Sequence, residues 1–231
     1  MGNLQIAFVS MIFALALTEA ARRVGVLYFR EGRFGREAWP ALSHLFLSLV
    51  VIATSFVQWM QSPLSDKVVE VFGSQFLVLL VNVAIAMMYY VLVMGVEIGE
   101  DGQVKPPSAR HEADWMLYIF AAYLLYDLLT KWLIPSFFDP WSFFPRGWVS
   151  LACFLCALLT WRTLRSVERS AGRVIVADLF LLLLVVLFRA MKRLAPIEGE
   201  KWMDTIWFIS FLASLVLYVI IVKVLFRKRL S

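Results

Sequence analysis

The sequence predicts an all-α polytopic transmembrane bundle of about seven continuous helices, and three observations carry that prediction. Seven apolar runs, near residues 4–20, 39–60, 72–96, 114–134, 148–163, 173–190 and 203–226, occupy most of the 231 residues. A bilayer-crossing helix needs roughly 20 mainly apolar residues, and most of these runs qualify. The composition, 61% hydrophobic and 17% charged with mean hydropathy +0.78, is too apolar for a water-soluble domain of this length. All nine tryptophans fall at or near run ends, where amphipathic rings collect at the membrane–water interface. Residues 1–231 therefore read as a single transmembrane domain.

Residues 1–12 carry no charged side chain, so the first run lacks the basic n-region of a signal peptide and is expected to be retained. Its Met-Gly-Asn-Leu-Gln-Ile start also lacks the Ser or Thr that myristoylation prefers. Residues 20–38 read as a basic extension of helix 1, ended by Gly32 and Gly35. Runs 2 and 3 carry polar stripes at a spacing of seven: Ser48 and Ser55 on one, Gln75, Asn82 and Tyr89 on the other. Residues 99–112 form the one properly hydrophilic loop, and 135–147, rich in Phe and Pro, is expected along the outer headgroup layer. Run 4 presents Tyr123, Asp127 and Lys131 on one face. Run 7 does the same with Ser210, Ser214 and Tyr218, and such stripes most often join helices. The eight prolines read as helix-end or loop residues, and glycine is missing from the middle of every run. The broken helices of secondary transporters are therefore not expected.

Basic residues set the orientation. Fifteen of the 22 lie in the 1–2, 3–4 and 5–6 connections and the C-terminal segment. The positive-inside rule places these on the cytoplasmic side, with the N-terminus outside and the C-terminus inside. Arg189, Lys192, Arg193 and Lys201 oppose that assignment. Alternation of basic residues between run ends, rather than a basic face or tail, excludes nucleic acid as the partner.

Ionisable residues within spans are costly and mark function by default. Here they form two layers. Glu19, His44, Glu97, Asp178 and Lys223 fall near the cytoplasmic face, and Glu19 and Asp178 are placed to share hydrogen bonds with His44. Asp127, Lys131, Arg189 and Asp204 fall in the outer half, where Asp127 is expected to pair with Lys131 or Arg189. The residues singled out for a pathway are Glu19, His44, Asn82, Asp127, Asp178 and Arg189.

Other chemistries are set aside. Cys153 and Cys156 form a Cys-x-x-Cys inside an apolar helix and read as small hydrophobes; a zinc site there would need two more ligands at the same depth. With His111 in a loop, His44 has no second histidine for a haem. Tyr126-Asp127 and Ala177-Asp178 lack the glycines of the intramembrane aspartyl proteases. A retinal protein would need a lysine midway along helix 7, where Lys223 is too near the end. No P-loop is present. No cofactor and no metal are expected, and no catalytic residue is assigned.

The stretch Phe13-Ala14-Leu15-Ala16-Leu17-Thr18-Glu19-Ala20-Ala21-Arg22, followed by a basic segment, resembles the opening of uncharacterised bacterial polytopic inner-membrane proteins. The resemblance covers about a tenth of the chain and implies a multi-pass location in the bacterial inner membrane, with no activity attached. The leading expectation is a small channel or permeation protein for protons, ions or small solutes, assembled as a homo-oligomer. The alternative is a membrane-embedded effector or anchor acting with a soluble cytoplasmic partner in stress signalling or defence. Its basic cytoplasmic face would attract anionic lipids.

Overall fold

The computed structural model describes residues 2–31, 38–60, 74–98, 104–133, 140–164, 171–194 and 201–227. Seven helices account for nearly all of them: α1 (Gly2–Glu31), α2 (Trp39–Met60), α3 (Ser74–Met94), α4 (Ala109–Leu133), α5 (Pro140–Leu164), α6 (Ala171–Arg193) and α7 (Lys201–Arg227). This is a helical membrane protein. Five helices, α2, α3, α5, α6 and α7, contain stretches long and apolar enough to cross a bilayer. The other two, α1 and α4, pack among them, α1 against α2 and α3, and α4 against α3, α5 and α6.

Each helix matches one predicted run, and the differences have local causes. The first helix continues to Glu31, into the expected basic extension, and Glu19 pairs with Arg22 and Arg23, both at 2.7 Å, about one turn further on. The fourth begins at Ala109, ahead of its apolar run. Ser108 caps it, its Oγ accepting the His111 amide at 3.2 Å, while its carbonyl accepts the Glu112 amide. Residues 109–112 are thus helical, not part of the hydrophilic loop. A two-residue antiparallel ladder joins β1 (Glu97–Ile98), just before that loop, to β2 (Val104–Lys105) within it. The fifth helix opens at Pro140, a residue suited to a helix start, and so takes Pro145 into its first turns. Proline therefore enters two of the helices near their N-termini, α2 at Pro40 and α5 at Pro140 and Pro145.

Several expectations fall on residues or side chains outside those described: Gly32 and Gly35, residues 135–139, and the side chains of Gln75, Lys131 and Asp204. Glu97 and Lys223 are exposed at helix or strand ends, as charges that reach the headgroup region should be.

The core lies mainly among α1 to α6, with Phe211, Tyr218 and Val222 added from one face of α7. Tyr89, Phe120 and Phe188 are among its largest buried side chains, and Tyr123 and Phe188 stack at 5.0 Å with planes 7° apart. The seventh helix sits at the edge. Its apolar window is 17% buried against 50% for α2, and Ile209, Leu212, Val216 and Ile220 face outward.

Candidate functional site

Polar side chains gather in two layers, and one spacing generates both. His44 and Ser55 on α2, Glu112 and Tyr123 on α4, and Asp178 and Arg189 on α6 are each eleven residues apart. Eleven residues make just over three turns of an α-helix, so each pair shares a face, separated by roughly 16 Å along the axis. His44, Glu112 and Asp178 meet at one level; Ser55, Tyr123 and Arg189 meet at the other. The three helices therefore run in the same direction, with matching polar residues in register.

The second level is a hydroxyl cluster around a cation. Tyr89 donates to Ser55 Oγ at 2.6 Å and lies 2.5 Å from the Tyr123 hydroxyl. Arg189 donates to Tyr123 at 2.8 Å and to Ser55, and its guanidinium carbon lies 4.9 Å from the Tyr123 ring centre. These partners are neutral, so no carboxylate among the described residues takes the Arg189 charge. One turn further along α6, Lys192 pairs with Asp127 at 2.5 Å, and Ser150 donates to the same carboxylate oxygen. Among the described residues the Asp127 partner is thus Lys192, from the last turn of α6 and beyond the predicted end of that run, rather than Arg189; the expected pairing with Lys131 lies outside the described side chains.

A cavity of about 610 Å³ opens beside this cluster, within the range of small-molecule sites. Asn82, Asp127 and Arg189, predicted from three different runs, line it together with Trp59, Tyr89 and Lys192. Three buried groups on its wall have no hydrogen-bond partner among the described residues: Arg189 Nε, Asn82 Nδ2 and Trp59 Nε1. All three are donors. With Asp127 opposed by Arg189, Lys192 and Arg193, the lining carries a formal surplus of two positive charges.

The first level is deeply buried and opposite in character. His44 Nε2 lies 2.7 Å from the Leu92 carbonyl oxygen, Nδ1 lies 3.3 Å from Glu112 Oε1, and Ser43 donates to Asp178. Glu19, expected here, is held instead by Arg22 and Arg23 on its own helix. Glu112 takes its place. The spacing from Glu112 to Tyr123 and the serine after Pro106-Pro107 were the signals that place it on a helix face. Asp127 and Asp178 occupy different layers and form no dyad, and Cys153 and Cys156 are buried free thiols on α5. No family model, curated protein or solved structure matches the chain.

Proposed function

We propose that this protein is a membrane permeation protein for a small anionic solute, with the α1–α2–α3–α4–α6 cavity as its binding chamber. The observation that carries this reading is the one-sided hydrogen-bonding demand of the wall: its unpartnered buried groups are all donors, and its charge surplus is positive. An unmet buried donor costs about 1–3 kcal/mol, and more beside a charge. A carboxylate or phosphate oxygen entering the chamber removes that cost, and a cation does not.

Arg189 is the anchor. Its planar guanidinium suits bidentate oxyanion contact, while Tyr89, Tyr123 and Ser55 hold it in place without neutralising it. Asp127 tethers Lys192 and keeps the second cation from collapsing onto the solute. The Arg189 position, within the last turns of a hydrophobic helix, provides a resting site between the two water phases.

Flux of chloride, acetate and phosphate is measured in liposomes containing the purified protein. At least one anion should leave faster than from empty liposomes. Arg189→Gln should slow it by about 10–100-fold, the value of one charge-assisted hydrogen bond, and Arg189→Lys should retain part of the rate. Anion leakage equal to that of empty liposomes, or flux indifferent to Arg189→Gln, would remove this reading.

A further inference from the structure

The first polar layer has an unmet demand of the opposite sign. The contact from His44 Nε2 to the Leu92 carbonyl requires an N–H at that nitrogen. In the neutral ring, Nδ1 then presents a bare lone pair, and it faces Glu112 Oε1. His44 Nδ1, both Glu112 oxygens and Asp178 Oδ1 are buried without a hydrogen-bond partner among the described residues. His44 and Glu112 are 0% exposed and Asp178 2%. These atoms are acceptors when both acids are ionised, and Glu112 and Asp178 then face one another as like charges. Arg23, whose charge reaches His44, is held by Glu19 through Nε and leaves one buried donor, Nη1, without a partner among the described residues. Two carboxylates and a lone pair turned on one another in this setting call for positive charge between them.

We propose that His44, Glu112 and Asp178 bind one divalent transition-metal ion of zinc's class inside the membrane. One ligand atom from each residue lies within 4.8 Å of the others. Bonds of about 2.0–2.2 Å in a tetrahedron put neighbouring donors roughly 3.3–3.5 Å apart, and His44 Nδ1 and Glu112 Oε1 are 3.3 Å apart. A 2+ ion matches two carboxylates in charge. One imidazole with two carboxylates suits zinc or a neighbouring transition ion; calcium would want six to eight oxygens. Three protein ligands leave a fourth position for water or a substrate atom. An outer shell is in place: the Leu92 carbonyl fixes the histidine tautomer, and Ser43 orients Asp178.

The test uses the full chain in detergent, stripped with a chelator and titrated with Zn²⁺ by calorimetry. One Zn²⁺ per chain is expected. Glu112→Gln and Asp178→Asn should each weaken binding by at least about 100-fold, and Ser43→Ala by about tenfold, as outer-shell losses do. A Cys153→Ser, Cys156→Ser double variant should bind as the parent does. If the carboxyl variants fail to fold, zinc-edge X-ray absorption on the unmodified protein decides, with one imidazole nitrogen and oxygen ligands expected. Absence of stoichiometric uptake, sulfur among the ligands, or binding unchanged by both carboxyl substitutions would overturn the site. Anion flux is a separate readout, so either proposal can fail alone.

Discussion

The Asp127–Lys192 pair illustrates what a single intramembrane side chain demands. Lys192 is 11% exposed and Asp127 13%, so each depends on the other for its charge. Removing one member of such a pair strands the second and costs about 3–5 kcal/mol, whereas replacing both is often close to neutral. Lys192→Met should therefore lower unfolding stability in mild detergent by about 3 kcal/mol, and adding Asp127→Asn should recover most of it. Stability unchanged in Lys192→Met would mean that Ser150 alone supports the carboxylate. Residue-level reading of the sequence found His44, Asp178, Asn82, Asp127 and Arg189 because charge or amide in an apolar run is conspicuous. It set Asp178 beside His44, but it did not foresee Lys192 as the partner of Asp127 or Glu112 in the His44 layer. Periodicity fixes which face of a helix a residue occupies, but not which helix comes to meet that face.

Among the elements, the junction after α3 is the most constrained. The Leu92 carbonyl accepts both the Gly95 amide, at 3.1 Å, and the His44 ring N–H. A Cβ on Gly95 would lie 3.1 Å from that oxygen and 3.3 Å from the Nε2 atoms of both His44 and His111. Glycine is needed here for space. Gly95→Val should cost about 1–3 kcal/mol through overpacking, read as a lower thermal midpoint, and should weaken Zn²⁺ binding by turning His44. A variant unchanged in both would show that the two imidazoles can separate freely. Helix existence was legible from the length of the apolar runs, and the bounds of α2 coincide with its run. The start of α4 was not, because Arg110, His111 and Glu112 read as loop until Ser108 is recognised as a cap and Glu112 is seen to be buried.

At the scale of the whole molecule, six helices enclose the polar layers and α7 lies outside them with an apolar surface turned outward. The bundle was legible because hydropathy reports the solvent around each segment, and in lipid only a helix or closed barrel can satisfy the backbone. The layers were half legible: their charged members stood out, but the three-helix register that joins them is a property of packing. Arg189 and Lys192, which opposed the orientation drawn from basic residues, belong to the cavity wall and are not solvated loop charges. Discounting them sharpens the charge asymmetry. Reporters fused to each end should place the N-terminus outside and the C-terminus in the cytoplasm; both on one side would reverse that assignment.

The shared interval on α2, α4 and α6 makes these segments intolerant of any change in length. Inserting or deleting one residue between His44 and Ser55 would swing one of them about 100° around the helix axis relative to the other. One layer would then lose a member to lipid while the other stayed whole. The same holds for 112–123 and 178–189, so the spacing acts as a ruler cut three times to the same mark. Whatever passes between or binds at the two levels, the distance separating them is fixed by counting residues.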